Sequence, residues 1–237
     1  MTPIPPSTIL FLIQSGYDAE LIMPMTLDSI NGISNAAKRP MGHPADPRFD
    51  RLVRLIREMQ LSEAIQVEIV RPKEGNETSL ITFPPRDNHQ AMAERKEVRR
   101  MLGLNPSAER FTVYYGGYSG RDDEIAMMTR SMMQIMLELA VGVQVPRGDL
   151  AQGRVAPGQV EGAGQGTLPW APSVNIFSGS TPPSNASVSV EYDQQWFWIA
   201  DTDFRSKAAF ASVMLLFSIS DVGEKGGGPI VTVPTNG

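Results

Sequence analysis

The sequence of 237 residues predicts an α+β fold, in which N-terminal helices precede a mixed, largely antiparallel sheet with packed helices. In the first third, apolar residues recur at the spacing that is typical of amphipathic helices. In several later segments they alternate with polar residues, which is typical of strands with one buried face. Because strands and helices do not alternate regularly along the chain, the parallel sheet of an α/β protein is not expected.

Composition and charge limit the classes of function. Lys and Arg total 21 against 26 Asp and Glu, and the net charge of −5 argues against nucleic-acid binding, which needs a basic surface. The absence of Cys excludes disulfides, thiolate-bound zinc, iron–sulfur clusters and a cysteine nucleophile. The apolar run 208–217 is shorter than the roughly 18 residues of a membrane span, so no span is expected. The N-terminal run "STILFLI" lacks the basic segment and cleavage site of a signal peptide.

The N-terminal third is predicted to be helical. Residues 5–33 indicate two short helices that are separated at Ser15-Gly16. A clearer helix covers residues 45–61, with Asp46 as the expected N-cap and Pro47 at the first helical position. The apolar residues of this helix share one face, namely Phe49, Leu52, Val53, Ile56 and Met59.

The middle of the chain predicts three strands and two further helices. Residues 64–70 alternate as a strand, and 79–83 are its expected hairpin partner. A charged helix over 88–102 precedes Gly103, which suits a left-handed C-terminal cap, and "RFTVYYGG" is the third strand.

The strongest predicted helix covers residues 119–140. Ser119 and Asp122 have a spacing like that of a capping box. The apolar stripe of this helix is expected to consist of Ile125, Met128, Met132, Ile135 and Leu139. Its polar side is expected to carry Arg130, Gln134 and Glu138.

Three regions follow from these patterns. Residues 1–144 form a helical and αβ N-terminal region, and 145–186 are rich in Gly and Pro. The second region is either a linker or a long surface loop. Residues 187–237 form a hairpin–helix–strand region, which we expect to pack with the first as one domain. Its predicted elements are a strand over 187–192, a tight turn at Asp193-Gln194, a strand over 195–200, a helix over 203–219 and the strand "PIVTV".

The stretch "QQWFWIADTDFRSK", residues 194–207, contains the candidate binding residues. Trp196 and Trp198 point to the same face of a predicted strand. On an exposed face they would be a stacking platform for sugars or a partner protein, whereas buried they would be part of the core. The core interpretation is favoured, because large aromatic side chains are mostly buried.

The residues that open the next helix allow two further interpretations. Asp201 and Asp203 suit a helix N-terminus, whereas Arg205 and Lys207 oppose the helix dipole there. An ion pair from Arg205 to Asp201, to Asp203 or to an acidic residue elsewhere is the favoured compensation. The alternative is a phosphate or carboxylate anion that is held by Arg205, Lys207 and free backbone N–H groups. The nearby cations make the two aspartates a poor metal cage, and no cofactor motif is present, so neither metal nor cofactor is predicted.

Two segments resemble a family of uncharacterised bacterial proteins, many of them described as lipoproteins. "DDEIAMMTRSMMQIMLELA" is similar to a "DEIAxxTRSMLQIL" helix of that family, and "VSVEYDQQWFWIADTDFRSKAAFASVMLLFSIS" is similar to its "VRYRGxWFWIDDRDLxSKxxFxxLMxLF" segment. Where the family has "DDRDL", this chain has Ala200, Thr202 and Phe204, so the basic residue before the second Asp is missing. The resemblance implies a cell-envelope or periplasmic location with a lipid anchor on a preceding N-terminal segment, and no named activity. A cytoplasmic location stays open.

Two functional hypotheses follow. The first is a non-catalytic cell-envelope protein with a binding or assembly role, whose partner is another envelope protein or a second copy of the chain. It would use exposed methionine and aromatic surface. The alternative is a hydrolase or ligand-binding enzyme with a cleft near the C-terminal hairpin and Asp201, Asp203 and Arg205 at its mouth. The absence of nucleophile-elbow, P-loop, zinc-protease and dinucleotide motifs favours the first.

Overall fold

The computed structural model describes residues 2–35, 45–70, 78–84, 89–155, 159–160 and 173–223. It confirms the α+β prediction, with helices beside a mixed six-stranded sheet and a separate three-stranded antiparallel sheet. The chain divides into two compact units, Met1–Val141 and Gly142–Gly237. In the described part of the chain, no helix combines the length and the apolar composition that a membrane crossing needs. The prediction that residues 187–237 pack with the first region as one domain stays a prediction.

The first unit begins with helices α1 (Pro6–Gln14) and α2 (Ala19–Thr26), which are separated at Ser15-Gly16 as predicted. The helical prediction for the following residues is wrong, because β1 (Leu27–Ile30) and β2 (Ile33–Ser34) form an antiparallel hairpin. Asn31 and Gly32 have φ values of 42° and 75°. Positive φ at both central residues is the geometry of a two-residue hairpin turn, for which Asn-Gly is the preferred sequence.

The next elements agree with the sequence patterns. Helix α3 (Arg48–Leu61) buries the predicted apolar face, although it begins at Arg48 and not at Pro47. The carboxylate of Asp46 still accepts the backbone N–H of Arg48 at 2.9 Å. Strands β3 (Gln66–Val70) and β4 (Thr78–Thr82), helix α4 (His89–Leu102) and strand β5 (Arg110–Tyr115) follow. Gly103, directly after α4, has the expected positive φ of 67°.

The prediction of one helix over 119–140 is wrong. Residues Glu124–Thr129 form strand β6, and helix α5 covers only Met132–Val141. Strand β6 lies inside the sheet, antiparallel to β1 and parallel to β5, so both of its neighbours satisfy its backbone hydrogen bonds. The cap of α5 is at Ser131, whose Oγ accepts from the Gln134 N–H at 3.4 Å while the Gln134 side chain accepts from the Ser131 N–H at 2.8 Å.

The order of the six-stranded sheet is β2-β1-β6-β5-β4-β3, and only the β5–β6 pair is parallel. Helix α1 packs against β3, β4 and β5, and α3 packs between α2 and α4. The core of this unit therefore lies between the sheet and these helices. Among its most deeply buried side chains are Ile9, Leu12, Ile22, Phe49, Leu52, Met59 and Phe111.

The second unit is smaller and built around a hairpin. It contains β7 (Gln144–Val145), α6 (Arg147–Ala151), β8 (Gln159–Val160), β9 (Phe177–Gly179), β10 (Ala186–Tyr192), β11 (Gln195–Ala200) and α7 (Phe204–Gly223). The antiparallel sheet has the order β10-β11-β9, and β7 pairs with β8. Thus the region 145–186 includes short regular elements, while its residues 156–158 and 161–172 and the predicted strand "PIVTV" lie outside the described residues.

The C-terminal hairpin and helix confirm the corresponding predictions. Strands β10 and β11 are joined by Asp193 and Gln194, which have φ values of 48° and 61°. The register pairs Tyr192 with Gln195 directly across the turn. Helix α7 turns one face inward, with Ser206, Ala209, Ser212, Val213 and Leu216 buried.

Candidate functional site

The two tryptophans of the predicted site share one face of β11, and both are half-buried. The ring of Trp198 stacks on Phe177 of β9, with centroids 6.0 Å apart and planes inclined by 29°. Ile199, which lies on the opposite face of β11, is buried in the core. Trp196 and Trp198 are therefore neither fully buried, as the core interpretation expects, nor fully exposed, as a stacking platform would require.

Asp203 is the N-terminal cap of α7. One carboxylate oxygen accepts from the Ser206 N–H at 3.0 Å, and the other accepts from the Ser206 hydroxyl at 2.7 Å and from the Asn175 side-chain amide at 3.0 Å. Ser206 in turn accepts the backbone N–H of Asn175 at 2.9 Å. The carboxylate thus ties the first turn of the helix to the segment that precedes β9.

The two cations of the stretch, Arg205 and Lys207, have different surroundings in the structure. Lys207 lies with Nζ 3.1 Å from the carboxylate of Asp201 and also donates to the Asp201 carbonyl. The ion pair in this stretch is therefore made by Lys207, whereas the sequence had indicated one from Arg205. Arg205 is exposed and forms no ion pair with the residues that the structure describes. Lys207 therefore contacts Asp201 while Arg205 is exposed, and the anion alternative stays a prediction.

The enzyme hypothesis requires a carboxylate that is poised for proton transfer. Burial raises the pKa of Asp203, but the hydrogen bonds from Asn175 and Ser206 and the charge of Arg205 outweigh it, and the pKa is below its usual value. A general acid needs the opposite shift. Among the described residues, no group of three His, Asp or Glu side chains could hold a metal ion. Asp203 is thus a structural cap, and Asp201 is an exposed ion-pair partner.

Among the cavities of the described residues are two in the first unit, and neither of these two is lined by a residue of the C-terminal hairpin. The first, about 20 Å³, has only apolar walls such as Ile56, Phe83 and Met127. The second is an open cleft of about 340 Å³ beside the edge strand β3, lined in part by Gln14 and Gln60. Both amides are engaged in hydrogen bonds within the fold, Gln14 with Val67 and Gln60 with Ile13 and Tyr17.

Helix α5 presents a different kind of surface. Met133, Met136 and Leu137 are 46, 41 and 47% exposed, whereas Glu138 of the same helix is 2% exposed. Glu138 forms a buried ion pair with Arg130, which is only 1% exposed. The predicted faces are thus correct only in part: Ile135 and Leu139 are buried as expected, whereas Arg130 and Glu138, expected on the polar side, are buried, and Met136 is exposed. We call Met133, Met136 and Leu137 the α5 surface.

Strand β10 is the second surface that the sequence stretch did not include. It is the edge of the three-stranded sheet, and six of its seven residues are exposed, from Ser187 to Tyr192. The alternation "SVSVEY" indicates a strand with one apolar side. Sequence alone does not tell whether that side is covered, and in the described part of the chain Val188, Val190 and Tyr192 are exposed.

Comparison of the chain with models of protein families, with curated proteins and with solved structures gives no match. The resemblance of two segments to a bacterial lipoprotein family therefore stays a prediction. The function has to be argued from the α5 surface, the β10 edge and the Asp203 cap.

Proposed function

We propose that this protein is a non-catalytic cell-envelope protein with a binding or assembly role, and that it binds a partner protein through the α5 surface. The observation that carries the proposal is the exposure of Met133, Met136 and Leu137 on one side of a helix whose charged residue is buried. Clustered apolar side chains on a surface are typical of protein–protein interaction sites.

The chemistry of this surface defines the kind of partner. Methionine side chains are flexible and polarisable, so they adapt to the shape of an apolar partner. Ala140, one turn further along α5, is also exposed and leaves room for close approach. No charged side chain is exposed on α5, since its one acidic residue is Glu138. An apolar helix face or apolar groove of another envelope protein has the matching chemistry.

The cell-envelope location is supported by the two segments that resemble the lipoprotein family. The non-catalytic character is supported by the roles of the carboxylates near the hairpin, because Asp203 caps α7 and Asp201 pairs with Lys207. The hydrolase alternative has no comparable observation in its favour.

The proposal is tested by affinity capture from bacterial envelope extract, with the intact chain, Met136→Lys and the matched control Met92→Lys. Met92 on α4 is 50% exposed, so the control places the same charge on a different helix. Circular dichroism first establishes that all three chains are folded. We expect one defined protein to be captured by the wild type and by Met92→Lys and to be lost with Met136→Lys.

The complex is then rebuilt from the purified chain and the purified partner, and its mass is measured by light scattering. A complex of fixed stoichiometry that Met136→Lys weakens supports the proposal. Capture that does not differ between Met136→Lys and the wild type, or a partner that fails to bind when purified, contradicts it.

A further inference from the structure

Strand β10 has an unpaired edge in the described structure. It pairs with β11 on one side, and no described strand pairs with it on the other. Val188, Val190 and Tyr192 lie on one face and are 42, 59 and 74% exposed. Exposed strand edges are usually protected by Lys, Pro or a bulge. The strand "ASVSVEY" has neither Lys nor Pro, and its one irregularity lies near its start, between Ala186 and Val188.

The register of the hairpin shows which backbone groups face this edge. Tyr192 pairs with Gln195 across the two-residue turn, and Val190 pairs with Phe197. Because a two-residue turn closes on a hydrogen-bonded pair, and such pairs alternate along an antiparallel ladder, Tyr192 and Val190 direct their backbone groups to β11. The N–H and C=O groups of Ser189 and Glu191 therefore point to the open edge.

We propose that two copies of this protein associate through β10, antiparallel and with the two-fold axis at Val190. In this register Val190 lies opposite itself, and Val188 lies opposite Tyr192 of the second copy. Ser189 and Glu191 exchange backbone hydrogen bonds across the axis. The two three-stranded sheets then form one continuous sheet, and the apolar side chains of both strands form one row on the same face.

The strand is self-complementary, which favours a second copy as the occupant. Its single charged side chain, Glu191, faces Ser189 of the other copy and no carboxylate directly. Pairs of β-branched and aromatic residues directly opposite each other stabilise antiparallel strands, and Val188 with Tyr192 is such a pair. An antiparallel pairing of identical strands also closes on itself as a two-fold dimer and cannot grow into a filament. This inference goes beyond the α5 surface and does not rest on it.

The first test is sedimentation equilibrium of the intact chain over a wide range of concentration. We expect the mass of two chains for the wild type and the mass of one chain for Ser189→Pro. Proline removes the N–H of Ser189, which points away from β11, so the hairpin keeps its own bonds. The matched control Ser189→Ala removes the hydroxyl and keeps the N–H, and it is expected to dimerise. We expect the proline variant to raise the dissociation constant about tenfold or more.

The second test uses the absence of Cys from the chain. Because Val190 meets itself at the axis, Val190→Cys places two thiols at disulfide distance, and mild oxidation should join the copies covalently. Tyr192→Cys places its thiol opposite Val188 and should crosslink much more slowly. Faster crosslinking of Tyr192→Cys would contradict the register.

A mass of one chain at every concentration would overturn the dimer and assign the edge to a different occupant, as would a dimer that Ser189→Pro leaves intact. Met136→Lys is expected to leave the dimer unchanged, and Ser189→Pro is expected to leave capture by the α5 surface unchanged. Either proposal can therefore fail while the other stands.

Discussion

Arg130 and Glu138 form a buried ion pair, with Nη1 of the guanidinium 3.3 Å from Oε1 of the carboxylate. Arg130 also donates through Nε to Asp28 of β1 at 2.7 Å and through Nη1 to the carbonyl of Pro24 at 3.0 Å. One guanidinium thus connects α2, β1 and α5. Because Glu138 must face this guanidinium, the opposite side of α5, with its methionines, is turned outward.

Removal of Glu138 is expected to destabilise the first unit. The change Glu138→Ala removes a buried counter-charge of Arg130 and leaves the half-exposed Asp28 as its described ion-pair partner. We expect the free energy of unfolding to fall by about 3 kcal/mol, measured by urea denaturation followed by circular dichroism. The double variant Arg130→Met, Glu138→Leu removes both charges and should recover most of this loss. If the double variant is as unstable as Glu138→Ala, the charge of Arg130 is not the cause.

The cap at Asp203 predicts a pH dependence of the second unit. The pKa of Asp203 is below its usual value of 3.8, because hydrogen bonds from Asn175 and Ser206 outweigh the effect of burial. The ionised carboxylate therefore contributes stability above pH 3.8, and this contribution is lost as the pH falls through the lower folded-state pKa.

We expect Asp203→Ala to lower the free energy of unfolding by about 1–2 kcal/mol at neutral pH, and we expect the difference from the wild type to shrink with acidification. Fluorescence measures this unit alone, since Trp170, Trp196 and Trp198 all belong to residues 142–237. Asp203→Asn keeps an acceptor for the helix and is the control for the loss of the cap. A difference that stays constant with pH would contradict the role of the charge.

Asn31 is expected to be sensitive to substitution for two separable reasons. Its side-chain amide donates to the carbonyls of Leu102 at 2.8 Å and Glu124 at 3.3 Å, and its carbonyl accepts the Ala126 N–H at 2.7 Å. Its φ of 42° is unfavourable for residues other than Gly and Asn. Asn31→Gly loses only the hydrogen bonds and should cost about 2–3 kcal/mol.

Asn31→Ala also forces alanine into the left-handed region, which should add about 1 kcal/mol to the loss. Both variants are compared by thermal and urea denaturation. Equal stability of the two would show that the backbone conformation contributes little.

Substitution of Gly103 is expected to destabilise the protein, chiefly because of its backbone conformation. Its φ is 67°, and an added Cβ would lie 2.8 Å from the hydroxyl oxygen of Tyr118. Gly103→Ala should lower the free energy of unfolding by about 1 kcal/mol. Tyr118 is partly exposed and its ring can move, so Tyr118→Phe in the same chain should restore little of the loss. Full recovery in the double variant would assign the effect to the contact and not to φ.

The spacing of apolar residues and the turn residues predicted those helices, strands and turns that are determined by residues close together in sequence. The periodicity of α3, the alternation of β3 and the turn at Asp193-Gln194 are all seen as predicted. The hairpin at Asn31-Gly32 could have been predicted as well, because Asn-Gly is a strong hairpin signal. The same holds for the start of α5, since Ser131 and Gln134 have the spacing of a capping box.

For the candidate site, the sequence indicated Asp203 among the capping residues, but it assigned the ion pair to Arg205, whereas in the structure Lys207 pairs with Asp201. The first hypothesis required exposed methionine surface, but the sequence did not predict that Met133, Met136 and Leu137 would be the exposed residues, because a stripe of methionines is more often core than surface.

The sequence by itself determined the α+β class, most element positions and the absence of Cys, since periodicity, turn residues and composition are local properties. Only the tertiary structure decided that residues 124–129 form a strand and that Met133 and Met136 of α5 are exposed. A run such as "EIAMM" suits a helix or a two-sided buried strand equally, and its neighbours β1 and β5 select the strand. Arg130 and Asp28 are 102 positions apart in sequence, so only folding brings together the charges that orient the helix.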